Sequence, residues 1–194
     1  MTRPGVVVRD ACPDDLPAIL QMWRELRDIG GRLERTTPPV SADGALDRLL
    51  AVTSDPHSRA IVATIGDDVA GMAVLTSAQY APLFDQAAVH VHYLHVRDGW
   101  RRRGVGKALL ACAASFAEEV GAEHVMTSVL PQLRDTNRFY AQLGFSPVVV
   151  RRSVPVSLLR RRLVAQGVAG AADHLLVRRR TLRRVRAAMS RAGD

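Results

Sequence analysis

The chain has little cysteine, few aromatic residues and almost no lysine. Of its 194 residues two are cysteine, Cys12 and Cys112. Two thiols far apart in sequence supply neither a disulfide framework nor a zinc site, and they suit a reducing cytoplasm. No apolar run reaches the roughly 18–20 residues a membrane span needs. The opening MTRPGVVVRD runs at once into acidic residues and does not read as a signal peptide. Lys107 is the single lysine, so nearly all of the positive charge is arginine.

What is present suits one domain with a small appendage. Apolar residues make up 47% of the chain, enough for a core. The net charge of +8 is unevenly spread. Up to residue 150 there are 15 basic and 17 acidic residues, a net of −2; beyond it 12 Arg stand against two Asp, a net of +10.

Apolar periodicity predicts the elements. Residues 5–10 read as a strand. A helix starts in the Asp10–Pro13 segment and continues through Leu16, Ile19, Leu20, Trp23, Leu26 and Ile29 to Gly30 and Gly31. Ser41 caps a second helix, ALDRLLAVTS, that ends near Pro56. Strands at 59–65 and 69–77 flank a hairpin turn at Gly66-Asp67-Asp68. Residues 87–96 and 123–130 are further strands, and 104–120 and 134–143 further helices. Gly144 ends the last helix, and FSPVVVRRSV continues as a strand. This order, β-α-α-β-β-β-α-β-α-β, describes an α/β domain with a mixed sheet.

The most informative segment is HVRDGWRRRGVGKALLACAASF, residues 95–116. A strand ends, a basic glycine-containing turn follows, and a helix begins. Glycine lets backbone N–H groups approach an anion, and a helix N-terminus adds unpaired donors and a positive dipole end. Arg101, Arg102, Arg103 and Lys107 add charge, so the turn suits a pyrophosphate. A Walker loop is excluded because Ala108 follows Gly106-Lys107 and Arg101 stands where its first Gly belongs. A dinucleotide fingerprint fails because Leu109 replaces its third Gly.

The spacing Arg101-x-x-Gly104-x-Gly106 resembles the coenzyme A pyrophosphate loop of the GNAT N-acetyltransferase superfamily. NRFYAQLGF, residues 137–145, is similar to that family's FYxxxGF helix. The resemblance covers roughly residues 5–152. It implies a GNAT fold, with a mixed, mostly antiparallel sheet flanked by helices, and transfer of an acetyl group from acetyl-coenzyme A to an amine. It places the coenzyme against the backbones of Leu94, His95 and Val96 and against Arg101, Arg102, Arg103, Gly104, Val105, Gly106 and Lys107, with Asn137 a further contact. Tyr140 falls on the tyrosine that many members use to protonate the leaving sulfur; a phenol is protonated at neutral pH.

Acyl transfer to an alkylamine also needs a proton acceptor. Many members place a Glu on the fourth strand, but no carboxylate lies here between Asp85 and Asp98. Strand alternation puts His90 and His92 on one face and His95 on the other. The His-x-His pattern is similar to that of arylalkylamine N-acetyltransferases, which implies that His90 and His92 remove the amine proton through water. No third ligand has metal-site spacing, so no metal is expected. Cys112, inside the helix after the loop, reads as packing and not as a nucleophile. The acceptor site is expected in the loops at 30–40 and 79–85, which contain Arg32, Glu34, Arg35, Tyr80, Phe84 and Asp85.

Residues 153–194 read as an Arg-rich extension of the 1–152 core. VSLLRRRLVA, residues 156–165, is an inserted helix and 172–179 a closing strand. Residues 181–191 form a basic helix whose Leu182, Val185 and Met189 stripe packs on the core or on a second subunit of a homodimer. The alternative is a nucleic-acid- or ribosome-associated protein with a regulatory or vestigial acyl-coenzyme A site. The tail lacks interleaved aromatics, which weakens base stacking, and its stripe lacks the Trp and Phe of a membrane-surface helix.

Overall fold

The computed structural model describes residues 5–31, 43–79, 86–150, 152 and 154–166. Five strands form one sheet in the order β1 (Val6–Asp10), β2 (Ser58–Ile65), β3 (Asp68–Gln79), β4 (Ala87–Val96) and β5 (His124–Thr127). The first three pairings are antiparallel and β4–β5 is parallel. The helices are α1 (Leu16–Gly31), α2 (Asp43–Ser54), α3 (Val105–Glu119), α4 (Arg134–Ala141) and α5 (Val156–Ala165). This is the mixed α/β architecture of the GNAT fold.

Two faces of the sheet are covered differently. On one, the apolar stripe of α1 (Ile19 and Met22 with Leu16, Trp23 and Leu26 at their flanks) packs on Ala60, Val62 and Met72. The α1 entry is fixed by Asp15, whose buried carboxylate accepts from both terminal nitrogens of Arg9 at 2.6 and 2.8 Å and from the Cys12 N–H at 2.9 Å. α3 lies on the other face, where Gly71 backs directly on Val105 and Leu109. There the Arg59 guanidinium sits 5.1 Å from the Phe116 ring centroid and 3.2 Å from Glu119.

The chain forms two compact units, residues 1–137 and 138–194. In the second, α5 occupies the span expected of the inserted helix. The strand expected at FSPVVVRRSV is not formed among the described residues. Val148, Val149 and Val150 are exposed and have no ladder partner there. β-branched residues favour a strand only where a neighbour supplies the hydrogen bonds and the packing. The expected closing strand at 172–179 and basic helix at 181–191 lie outside the described residues, as do Ser41 and the acceptor loop residues Arg32, Glu34, Arg35, Tyr80, Phe84 and Asp85.

Candidate active site

The site grows from the way β4 ends. Its parallel pairing with β5 runs from Ala88↔His124 to Val91↔Thr127 and stops. Thr127 closes the pairing with a 3.1 Å hydrogen bond from its Oγ1 to the Val91 carbonyl. From His92 to Val96 the strand is paired with β3 alone, which leaves a gap in the ladder on its β5 side among the described residues.

At the foot of the gap the chain makes a short turn of 3-10 helix at Asp98–Trp100 and enters α3. Arg102 at φ 60° and Gly104 at φ 88° are both left-handed, which folds the turn back under the helix start. Gly104 is the N-cap and no side chain caps the helix. Its carbonyl takes the first helical bond, from the Ala108 N–H at 2.9 Å. The amides of Val105, Gly106 and Lys107 therefore have no acceptor within the helix, and the dipole adds positive potential there. The arginines frame this opening. Arg101 bonds Asp98 at 2.8 Å and the Val96 carbonyl at 3.3 Å, and Arg103 lies 4.8 Å over the Trp100 ring. Arg102 and Lys107 are exposed, whereas the Val105 side chain is buried against the sheet. The donor set fits a diphosphate: backbone amides at the helix start and cationic side chains around them.

β4 carries a bulge where it leaves β5. His92 pairs with Val74 and His95 with Met72, so Tyr93 and Leu94 together stand opposite Ala73. Tyr93 takes φ 54° to make this possible. The extra residue changes which way the strand's later side chains project. Thr76, Val74 and Met72 alternate regularly and share one face, so their partners His90, His92 and His95 share it too. The sequence expectation that His95 lies opposite the other two histidines is thereby corrected.

The His90 and His92 rings are stacked, with centroids 6.0 Å apart and planes 13° from parallel. His92 Nε2 is 3.0 Å from Thr76 Oγ1. His95 is buried, at 5% exposure, and its Nε2 lies 2.7 Å from Glu25 Oε2 on α1. Tyr93, 58% exposed, meets Trp23 edge-on at 6.4 Å. A shallow cavity of about 400 Å³ opens on the outer side of the turn, lined by Glu25, Asp68, Arg97, Asp98, Gly99 and Trp100. It shares Glu25 with the histidine face.

The GNAT acetyltransferase family model matches residues 21–145, which takes in the gap, the basic turn and α4. The chain belongs to the GNAT acetyltransferase family. Solved structures similar to this GNAT chain include a transcriptional regulator from Bacillus halodurans C-125, with 25% identity, a TM-score of 0.65, and 77% of this chain and 99% of that one covered. An Agrobacterium tumefaciens putative acetyltransferase is 19% identical at TM-score 0.63, covering 77% of this chain and 99% of that one. An aminoglycoside acetyltransferase from an uncultured soil metagenomic sample is 18% identical at TM-score 0.60, covering 78% and 96%. No curated protein matches.

The remaining GNAT candidates fall as follows. Tyr140 belongs to the second unit. It is buried at 6% exposure, with Phe139 and Phe145 edge-on at 5.3 and 5.1 Å. Gly144, at φ 88°, turns the chain so that the Phe145 N–H returns to the Tyr140 carbonyl at 3.1 Å. Asn137 spends its Nδ2 on the carbonyls of Leu130 and Leu133, at 3.0 and 2.8 Å, which leaves Oδ1 as the atom for any coenzyme contact. Burial pushes the Cys112 thiol up, so it stays protonated in neutral solution, in line with packing. Among the described residues no group of three or more His, Cys, Asp or Glu is arranged to hold a metal ion. No described helix is long and apolar enough to cross a membrane.

Sequence reading missed Glu25 and Thr76. Both reach the histidines from other elements, and no local pattern marks an α1 carboxylate as the partner of a residue 70 positions later. The one available signal was negative: the fourth strand has no carboxylate, so one must come from elsewhere.

Proposed function

We propose that the protein is an N-acetyltransferase that carries an acetyl group from acetyl-coenzyme A directly to a primary amine of a small molecule or protein. The observation that carries this reading is the end of the β4–β5 ladder at Val91 and Thr127, followed along the chain by a start of α3 that no side chain caps. In this reading the amides of Val105, Gly106 and Lys107, with Arg101, Arg102, Arg103 and Gly104 around them, take the diphosphate. The pantetheine arm lies along the free edge of Leu94, His95 and Val96, within reach of Asn137. A β4 amide donates to the thioester oxygen as negative charge builds there.

The chain's own groups then handle two protons. His92, held by Thr76, and His90 stacked on it lead the proton of the amine away through water; neutral imidazole suits that task. Tyr140 donates to the departing sulfur. A covalent acyl-cysteine is not needed, and a Cys112 thiol raised by burial does not suit one. Two free thiols agree with work in a reducing cytoplasm. Because aminoglycoside acetyltransferases share the fold, aminoglycosides belong beside polyamines, arylalkylamines and peptide N-termini among the acceptors to be tried.

The test is a panel of those amines followed by release of free thiol, with calorimetry of coenzyme A alongside. Thiol release that requires one acceptor class, together with 1:1 coenzyme binding, is the expected result. Absence of coenzyme uptake overturns the reading.

A further inference from the structure

The His95–Glu25 contact is not used by the reaction as described so far, yet it is unlike the other polar contacts around it. The imidazole is 5% exposed and the carboxylate lies 2.7 Å away on a different element. The bulge at Tyr93 is what delivers His95 to the face of His90 and His92. The left-handed conformation is unfavourable for a non-glycine residue, so the surrounding structure must hold Tyr93 there.

We propose that Glu25 and His95 form the carboxylate–imidazole pair that finally accepts the proton of the acceptor amine. This rests on the acetyltransferase reading and extends it. A carboxylate oxygen can only accept, so Nε2 carries the hydrogen in the 2.7 Å contact and the lone pair is left on Nδ1. His95 is then a base with a fixed tautomer and ring orientation, and Glu25 is a positioning residue that also stabilises the imidazolium once formed. The protonated amine gives its proton, through the water held by His92 and His90, to Nδ1. The neutral amine attacks the thioester carbon, the carbon–sulfur bond breaks, and the sulfur leaves as a thiol with the proton from Tyr140. The attacking nitrogen's second proton restores that phenol through solvent. His95 then returns the Nδ1 proton to solvent along the water path by which it came, while Glu25, 35% exposed, keeps the Nε2 hydrogen and so preserves the starting tautomer. Glu25 thus stands in for the carboxylate that the fourth strand lacks.

The experiment uses the full chain with two readouts. Long-range 15N NMR, with His95 assigned by its loss in His95→Ala, reports the tautomer. Thiol-release kinetics report kcat and the KM for acetyl-coenzyme A. His95 is expected as the Nε2–H tautomer in the wild type and as a mixture in Glu25→Ala. The kcat is expected to fall about 100-fold or more in His95→Ala and roughly tenfold in Glu25→Ala, with KM for the coenzyme unmoved. Glu25→Gln keeps an oxygen for the Nε2–H and recovers part of the loss. Should His95→Ala fail to fold, the two Glu25 variants, at a part-exposed position, carry the same comparison. An Nδ1–H tautomer in the wild type, or kcat within twofold of wild type in the His95 or Glu25 variants, overturns this proposal and leaves the acetyltransferase reading standing. A wild type that binds coenzyme A but acetylates no amine overturns that reading, and the catalytic half of this one with it.

Discussion

Gly71 on β3 lies so close to β4 that a Cβ built on it would stand 2.8 Å from the His95 carbonyl oxygen and 2.9 Å from Val105 Cγ1. Neither neighbour can yield freely. One is strand backbone and the other is the first residue of α3, buried at 1% exposure. This contact seats the N-terminal end of α3 on the strand that carries the histidines. Gly71→Ala is expected to cost about 1–3 kcal/mol of stability through overpacking. It should also weaken coenzyme A binding, because the α3 amides are displaced from the end of β4. Urea denaturation and calorimetry check both halves.

The bulge allows a sharper prediction. Tyr93→Gly suits φ 54° and removes a 58% exposed side chain, so it should change stability by no more than about 1 kcal/mol and leave the His95–Glu25 pair intact. Deleting Tyr93 altogether removes the extra residue, so His92 and His95 become next-but-one neighbours and strict alternation keeps His95 opposite Met72, on the face of His90 and His92. A crystal structure of the deletion variant should show an unbroken β3–β4 ladder with the His95–Glu25 contact kept.

If the proton steps are assigned correctly, His92→Ala and Tyr140→Phe each lower kcat by about 100-fold or more while coenzyme A affinity is kept. Thiol-release kinetics beside calorimetry decide this. Unchanged kcat in both variants removes these side chains from the reaction.

Asp15 links acid stability to the entry of α1. Its carboxyl is held below the ordinary range, first by hydrogen bonding from Arg9 and then by the Cys12 amide. A carboxyl lowered in the folded state stabilises the fold above its unfolded value, near 3.9, and that contribution fades as pH falls through the lower folded value. Asp15→Asn is therefore expected to lose about 2 kcal/mol at neutral pH. The difference from wild type should shrink below about pH 4, as thermal melts from pH 7 to 3 would show.

The turn offers a control on the diphosphate assignment. Gly104 has open space around its Cα but sits at φ 88°, so Gly104→Ala is strained without any clash. A loss of roughly 1–2 kcal/mol from the left-handed conformation should appear mainly as weaker coenzyme A binding, if the turn reshapes to relieve it. Calorimetry against wild type measures it.

Most of the element order was legible because apolar spacing is a local property. β4 at Ala87–Val96 and α5 at Val156–Ala165 have the bounds read from the residues. The basic turn was legible for the same reason: Arg101-x-x-Gly104-x-Gly106 packs its chemistry into six consecutive residues. FSPVVVRRSV misled over its described residues, since three valines satisfy the strand pattern whether or not a partner is present. His95 misled differently. Counting by two along β4 is right only until the bulge, and neither Tyr93 nor Leu94 advertises one.

By itself, then, the chain's order of residues determined most of the helices and strands, the basic glycine-containing turn and the set of histidines on β4, each an outcome of interactions within a few residues. Tertiary structure alone decided where β4 leaves β5, that His95 joins the face of His90 and His92, and that its partner is Glu25. Those outcomes depend on register between strands and on the packing of α1 across the sheet, and register is an energy of pairs that no single segment contains.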